Sequence, residues 1–434
     1  MEVIVLAGGL GTRLRSVVKE IPKCLAPVGG RPFLGYLLDW LKGQGVDHVV
    51  FSVGYLREQV IDFVQSQDWP FTYDFAVEEA PLGTGGGIRL ALEKCRENQV
   101  FVVNGDTFYP VDLKSIPFNY AVTLALKPMK DFDRYGSVSV APQPVVENYF
   151  SQGFAKNHFS ETSTNPPHIE KSQPVAKNQF SSDSTKLMLQ VIEFQEKKHC
   201  EEGLINGGVY AIDRGRLELG VLPERFSFEK EVLEPGAALG EIGGWASDAF
   251  FIDIGIPEDY QKAQWAIPAW FAVQEASEAV LKADATTLFL DRDGVLNRHI
   301  PGYVTKWSEW EWMPGILPAM ALWARKFAHI VLVTNQRGVG KGIMTDAELA
   351  QVHAHMMQDV LDAGGRIDLI LTCTAVSDED PRRKPHPGMF YEACNLFPDI
   401  DAKSSVMLGD APSDAAFAKN CNMQFILLNP EAAS

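Results

Sequence analysis

Nowhere in this sequence do apolar residues run on for the ~20 positions that span a bilayer. The N-terminus has no basic segment followed by such a run, so neither a membrane anchor nor a secretory leader is expected. Positive charge is scarce: 39 Lys and Arg face 56 Asp and Glu, for a net charge of −17. That argues against nucleic acid or an anionic membrane surface as a partner. Cysteine is sparse too. Cys24, Cys95, Cys200, Cys373, Cys394 and Cys421 form no CxxC pair, which points to reduced thiols and a cytoplasmic setting. Two familiar phosphate-binding patterns are also missing. GxxxxGK[ST] does not occur, and Gly9-x-Gly11-x-x-Leu14 lacks the third glycine of the dinucleotide fingerprint.

What is present is a glycine-rich loop of another kind. The apolar run Val3–Leu6 reads as a buried parallel strand, and LAGGLGTRLR, Leu6 to Arg15, follows it. Glycines let such a turn bring backbone N–H groups close to an anion, and Arg13 adds a positive fork suited to phosphate oxygens. A tight strand-to-helix turn is the plainer reading of the same residues. Residues 1–142 go on alternating. Strands are expected at His48–Ser52, Val100–Val103 and Ala121–Leu126, and helices at Phe33–Gln44, Arg57–Gln65 and Gly87–Lys94. This alternation predicts a doubly wound α/β sheet.

Residues 143–186 break the pattern. They are rich in Ser, Asn, Gln, Pro and Lys, and repeat loosely as QPVVENYFS, AKNHFS and QPVAKNQFS. Such composition buries too little to offset ordering entropy, so a flexible insertion is expected. Order resumes at Leu187–Glu193 and runs to FFIDIGIPEDYQKA. The boundaries that follow are 1–262 for a first domain, 263–285 for a helical linker with Pro268 as a kink or break, and 286–434 for a second domain. There, strands are expected at Leu288–Leu290, Ile330–Val333, Leu369–Leu371, Val406–Leu408 and Phe425–Leu427, with a helix at Asp346–Ala363.

In the first domain, Lys23 can neutralise a phosphate, PLGTGGGI (Pro81 to Ile88) is a second glycine-rich turn, and Val100–Val103 runs into Asn104-Gly105-Asp106. A carboxylate at the end of a buried strand is where an α/β enzyme places a metal ligand. The run Phe250–Ile252 ends likewise in Asp253, so the two aspartates can share Mg²⁺. With Gln195-Glu196-Lys197, INGGVY and FIDIGIPEDY added, this set in this order resembles the sugar-phosphate nucleotidyltransferase family, over residues 1–142 and 187–262. Through KEIPKCLAPVGGRPFLGYLLDWL it is most similar to the guanylyltransferases of D-glycero-D-manno-heptose 1-phosphate. The resemblance implies a Rossmann-like domain with a mixed, mostly parallel sheet. It implies that Leu6, Ala7, Gly8, Gly9, Gly11, Thr12 and Arg13 hold the nucleotide, with Lys23 at the α-phosphate and Gly83 and Thr84 near the base. Asp106 and Asp253 would bind Mg²⁺, and Glu196, Lys197, Asn206 and Gly207 would face the sugar phosphate. Cys24 stands where the family often has a second proline. The residues alone leave the nucleobase open.

The second domain opens with Leu288–Leu290 delivering Asp291-Arg292-Asp293-Gly294-Val295. Two carboxylates at i and i+2 past a buried strand can divide the work of nucleophile and general acid/base. Thr334-Asn335, Lys384 in RRKPHPG, and Gly409-Asp410 with Asp414 follow in order. This set resembles the haloacid dehalogenase-like phosphatases. Through FLDRDGVLN, GYV, TNQRGVGKG and RKPHPGM it is similar to heptose bisphosphate and histidinol phosphatases. The resemblance implies an α/β domain without a large cap. Asp291 would be the nucleophile and Asp293 the acid/base, while Thr334, Asn335 and Lys384 would hold the phosphoryl group. Asp291, Asp293 through its carbonyl, and Asp410 would bind Mg²⁺, with Asp414 in support. Only Cys373 remains where relatives carry a Cys/His loop, so no zinc is expected. His353 and His355, two apart on a helix, point different ways and read as solvated. Trp307 to Trp312, WSEWEW, reads as packing or as a substrate wall.

Together these readings imply a bifunctional enzyme. A phosphatase would remove the 7-phosphate of a heptose 1,7-bisphosphate. A nucleotidyltransferase would then join the resulting 1-phosphate to a nucleoside triphosphate. The alternatives are mannose 1-phosphate or another hexose 1-phosphate as acceptor, and a histidinol-phosphatase-like or regulatory second domain. Partners would be small-molecule substrates, with a homo-oligomer left open.

Overall fold

Short apolar runs and amphipathic stretches assemble, in the computed structural model, into two α/β units. The structure describes residues 1–9, 14, 20–142, 188–195 and 199–429. The expected insertion at 143–186, together with Gly11, Thr12, Arg13, Glu196 and Lys197, lies outside the described residues. The first unit takes in Met1–Leu10, Trp40–Phe180 and Ser184–Phe251; the second takes in Gly11–Asp39, Ser181–Asp183 and Ile252–Ser434.

In the first unit a nine-stranded sheet forms from β1 (Glu2–Leu6), β2 (His48–Val53), β3 (Thr72–Val77), β4 (Gln99–Asn104), β5 (Val122–Phe132), β6 (Val138–Pro142), β7 (Met188–Phe194), β8 (Cys200–Asp213) and β9 (Ile242–Ala246). Their order across the sheet is β3-β2-β1-β4-β8-β5-β9-β7-β6. The strands β3 to β4 pair in parallel, β8 is antiparallel to both neighbours, and β9 returns parallel to β5. Strand β1 is buried on both faces at Val3, Ile4 and Val5, as an unbroken aliphatic run in a parallel sheet requires. Its helices are α2 (Arg57–Gln65) and α3 (Gly83–Leu92), while α1 (Phe33–Gly43) has its first seven residues in the second unit. Edge strand β3 is absent from the expected strands because Asp74 interrupts its apolar residues.

PLGTGGGI, expected as a second glycine-rich turn, is helical from Gly83 onward. Gly83 starts α3 at φ +74°, and Gly85 to Gly87 lie inside the helix. A Cβ on Gly85 would come within 2.1 Å of the Phe226 ring. The glycines therefore let α3 press against the segment that carries Phe226.

The second unit holds a five-stranded, all-parallel sheet of β10 (Thr287–Leu290), β11 (His329–Asn335), β12 (Leu369–Cys373), β13 (Ser405–Gly409) and β14 (Gln424–Leu427), ordered β12-β11-β10-β13-β14. Around it run α4 (Pro257–Lys282), α5 (Ile316–Lys326), α6 (Asp346–Asp362), α7 (Gly388–Leu396) and α8 (Pro412–Cys421). Of the kink or break expected at Pro268, the break does not occur: the 26-residue α4 continues through it. Ala269, Ala272, Val273, Ala276 and Val280 on α4 share one buried cluster with Leu288, Leu290, Ile316 and Trp323. Small residues at that spacing let the helix approach its neighbours closely while burying its stripe.

Candidate active sites

The C-terminal ends of β1, β2 and β4 open onto a cavity of about 350 Å³ in the first unit. Leu6, Gly8 and Gly9 line it, joined by Gly83 and Thr84 from the start of α3 and by Asn104 and Asp106 beyond β4. Backbone bonds fix this rim: Ala7 N–H donates to Ser52 O at 2.9 Å, and Gly105 N–H to Leu6 O at 3.0 Å. The structure thus gathers residues expected near the nucleotide around one space, with Asp106 at its edge. Thr84 also accepts the Phe228 N–H at 3.0 Å, which ties α3 down.

One group in this cavity has no counterpart among the sequence expectations. The Glu78 carboxylate lies on its wall, where Oε1 accepts from Ser52 Oγ at 3.2 Å and Oε2 accepts the Leu82 N–H at 3.0 Å. A Cβ on Gly8 would sit 3.0 Å from Glu78 Oε1, and one on Gly87 2.8 Å away. Bare glycines on both sides leave room for the acid.

Lys23 and Asp253 belong to the second unit, where Lys23 Nζ lies 3.4 Å from Asp253 Oδ1. The same oxygen accepts the Gly255 N–H at 2.7 Å. In the first unit, Asn206 and Gly207 sit on a bulge of β8, where the register against β5 shifts between Asn206 and Tyr210. Asn206 is braced at both ends, donating to Tyr210 Oη at 3.0 Å and accepting from Gly208 N–H at 3.0 Å.

The second site forms at the ends of β10, β11 and β13. A cleft of about 200 Å³ is lined by Asp291, Asp293, Thr334, Asn335, Lys384 and Asp410, with Tyr303 and His299 on its walls. Lys384 Nζ lies 2.8 Å from Asp291 Oδ1 and 2.6 Å from Asp414 Oδ1. Asn335 pins the lysine's backbone: its amide donates to Lys384 O and accepts from Lys384 N–H, both at 3.0 Å. Gly294 adopts φ +87°, and a Cβ there would fall 1.9 Å from Asp410 Oδ2, so only glycine lets the first loop pass that acid.

Burial and like charge govern the titration here. Burial pushes Asp291 up to about 7; Lys384 pulls it down, and Asp414 and Asp293 push the other way. Asp410 rises to about 6, from burial first and then from Asp414. Burial alone would lower the Lys384 ammonium, but the two aspartates outweigh it and hold it above its usual value.

Asp293 behaves oppositely. Burial would raise it, yet its donors hold it below the usual carboxylate range. Arg292 Nη2 reaches both carboxylate oxygens, at 2.9 and 3.0 Å. Asn297 Nδ2 donates at 3.0 Å and Gln336 Nε2 at 2.8 Å, and Gln336 Nε2 also lies 2.8 Å from Thr334 Oγ1. Asn297 and Gln336 stand inside the motifs DGVLN and TNQ, so their positions carry a signal. Arg292 carries none, because a cation between two aspartates looks solvated in a sequence; in the fold its side chain is fully buried, 5.9 Å from the Trp310 ring centre.

His353 corrects the solvated reading. Its Nε2 accepts from Arg292 Nη1 at 3.3 Å, and burial with the adjacent guanidinium pushes its pKa down to about 4. His355 stacks on Trp307 at 5.2 Å, which in turn stacks on Trp310 at 5.2 Å. Trp307, Trp310 and Trp312 pack against the buried cluster of α4 and α5.

The donor set at this second centre fits a hard divalent cation. Asp291, Asp410 and Asp414 each offer an oxygen, all within 4.8 Å of one another, as Mg²⁺ prefers. Asp291 and Asp414 each also give an oxygen to Lys384 Nζ, at 2.8 and 2.6 Å. The first cavity is lined by two carboxylates, Asp106 and Glu78.

Comparison with known proteins divides the chain in two. Residues 3–114 match the family described as MobA-like NTP transferase domain, and residues 289–432 match Polynucleotide kinase 3 phosphatase. The D-glycero-alpha-D-manno-heptose 1-phosphate guanylyltransferase of Aneurinibacillus thermoaerophilus is 39% identical over 269 residues, covering 61% of this chain and 97% of that protein. The D-glycero-alpha-D-manno-heptose-1,7-bisphosphate 7-phosphatase of Mycobacterium tuberculosis is 38% identical over 135 residues, covering 31% of this chain and 71% of that one. Among solved structures, HddC from Yersinia pseudotuberculosis complexed with GMP-PN is 31% identical and covers 61% of this chain and 97% of that one, with a TM-score of 0.46.

Proposed function

By its N-terminal part this chain belongs to the D-glycero-α-D-manno-heptose 1-phosphate guanylyltransferases and by its C-terminal part to the heptose 1,7-bisphosphate 7-phosphatases, and from that double membership we propose that it catalyses two consecutive steps. It hydrolyses the 7-phosphate of D-glycero-D-manno-heptose 1,7-bisphosphate, then transfers GMP from GTP to the heptose 1-phosphate so formed. The observation that supports this most directly is the presence, in one polypeptide, of both sets of charged residues at strand ends.

In the hydrolytic step an Asp291 oxygen attacks phosphorus and the bond to the sugar oxygen breaks, leaving an aspartyl-phosphate. Thr334 and Lys384 hold the phosphoryl oxygens, and Lys384 offsets their charge. The departing alkoxide takes a proton from Asp293. Water then attacks phosphorus, Asp293 takes its proton, the bond from phosphorus to the Asp291 oxygen breaks, and free phosphate leaves. Under three donor side chains Asp293 rests ionised, so the base role comes naturally to it and the acid role is the harder one. Asp291, the Asp293 carbonyl and Asp410 would hold Mg²⁺, which would supply neutralising charge for the phosphoryl group.

The transfer step needs no protein nucleophile. A phosphate oxygen of heptose 1-phosphate attacks the α-phosphorus of GTP, and pyrophosphate leaves. The protein positions the two anions and offsets their charge, which is the proposed work of the loop after β1 and of Asp106 as an Mg²⁺ ligand. Glu78 supports guanine as the base. Guanine alone presents two adjacent donors, N1–H and N2–H, which one carboxylate can accept together. Glu78→Gln is expected to lower kcat/KM for GTP by about 10–100-fold, the worth of one or two charged hydrogen bonds, with a smaller effect on ATP. Equal losses on the two nucleotides would remove Glu78 from base reading.

The proposal as a whole is tested by supplying heptose 1,7-bisphosphate, GTP and Mg²⁺ to the full chain. Phosphate and pyrophosphate should both appear, with GDP-heptose as product. Pyrophosphate release from heptose 1-phosphate but no phosphate release from the bisphosphate would sink the first step.

A further inference from the structure

A chain of polar contacts runs behind the phosphatase cleft. Asp293 and Thr334 line that cleft; Arg292, Gln336 and His353 do not. Gln336 Nε2 has two hydrogens and two acceptors, Asp293 Oδ2 and Thr334 Oγ1, each at 2.8 Å. A threonine hydroxyl that accepts in this way keeps its own hydrogen for a phosphoryl oxygen. Arg292 takes the other side of the carboxylate, with Nε 3.2 Å and Nη2 2.9 Å from Asp293 Oδ1. Its third nitrogen, Nη1, donates to His353 Nε2 at 3.3 Å.

The guanidinium is a rigid, fully buried fork, so the carboxylate turns only as the fork turns. His353 holds the far end of that fork, and α6 holds His353. Met356 and Val360, three and seven residues on, share its face of the helix and are fully buried. Thr345 caps the start of α6, and Trp312 Nε1 donates to Asp359 Oδ2 at 2.9 Å further along it. With its pKa pushed down to about 4 by burial and by Arg292, the imidazole is neutral at ordinary pH, so Nε2 keeps the lone pair that accepts.

We propose that His353 is a positioning residue for proton transfer in the hydrolytic step: it holds Arg292, and through Arg292 fixes the orientation in which the Asp293 carboxyl meets the departing sugar oxygen. Gln336 ties the same carboxyl to Thr334, so the group that handles the proton and the group that holds the phosphoryl oxygens share one frame. The inference rests on the phosphatase reading of the C-terminal part. As the bond from Asp291 to phosphorus forms and the bond from phosphorus to the sugar oxygen breaks, the proton passes from Asp293 to that oxygen. An ester whose leaving oxygen is stable as an anion has no need of this proton, and its cleavage is indifferent to His353.

The test compares kcat/KM on heptose 1,7-bisphosphate and on p-nitrophenyl phosphate for the full-length wild type, His353→Leu and His353→Gln. In His353→Leu the value for the sugar ester should fall about 10–100-fold, part of the 10²–10⁴ that a placed general acid supplies, while the value for the aryl ester changes little. His353→Gln returns an acceptor to Arg292 and should recover most of the loss. Arg292→Lys, which keeps the charge without the fork, should show the same selectivity with a larger loss. Equal losses on the two esters in His353→Leu, or no loss on the sugar ester, would overturn the positioning role. Failure of the wild type to release phosphate from either ester would instead overturn the phosphatase reading beneath it. Thermal melting of each variant identifies a fold defect, and His353→Gln then carries the comparison.

Discussion

Replacement of Asp291 by asparagine should cut phosphate release from the bisphosphate by at least about 10⁴-fold, while pyrophosphate release from heptose 1-phosphate and GTP continues in the same polypeptide. The exchange keeps the size of the side chain and its contact with the Arg292 N–H, which lies 2.7 Å from Asp291 Oδ1. What goes is the negative charge and the oxygen proposed as nucleophile. Positioning by Thr334 and Lys384 remains, so residual turnover above the uncatalysed rate is expected, as when other nucleophiles are removed from an intact site. Separate phosphate and pyrophosphate assays on one preparation decide the matter. More than about 1% of wild-type phosphate release would rule out covalent catalysis by Asp291 on this scale.

Lys384→Met should damage the same centre differently. The ammonium stands between Asp291 and Asp414, at 2.8 and 2.6 Å. Its removal leaves two carboxylates facing each other out of water, at a cost of about 3–5 kcal/mol. The cost depends on pH, and its sign follows from Asp291. A carboxyl whose folded-state pKa lies above its unfolded value keeps its proton longer when folded. Such a group favours the fold at low pH and loses that stability as pH rises through the folded value. Asp291 already sits at about 7, and loss of Lys384 raises it further. The variant should therefore melt close to wild type at pH 5 and far below it at pH 8.5, measured without divalent metal. A deficit that grows toward low pH would contradict this assignment of charges. Phosphatase activity should be lost at every pH, because the phosphoryl oxygens lose their buried cation.

Much of this second centre is legible in the amino-acid order alone. Asp291, Thr334 and Asp410 each lie at the end of an aliphatic run buried on both faces, and a strand end fixes direction as well as depth. Asn335 and Lys384 come with them because their motifs are local. Arg292 does not, since burial of a cation depends on groups distant in sequence: His353 on α6, Trp310, and the fork to Asp293. Glu78 is hidden for a related reason. It follows an edge strand whose alternation Asp74 disturbs, so no buried run announces it. PLGTGGGI stands out in the sequence, but its packing is not legible there, because Phe226, which Gly83 and Gly85 approach, lies more than a hundred positions away. Gly11, Thr12, Arg13, Glu196 and Lys197 remain sequence proposals.

The alanine face of α4 bears on how such a chain could be taken apart. Ala269, Val273, Ala276 and Val280 fill a cluster with Leu288, Ile316 and Trp323. A hydrolase begun at residue 286 would bare that wall to water, at about 25 cal/mol for every Å² of oil-like surface. Scission here is thus a structural injury rather than a clean parting: the stretch that reads as a tether is a beam, and a freestanding catalyst would have to carry it along or evolve a substitute.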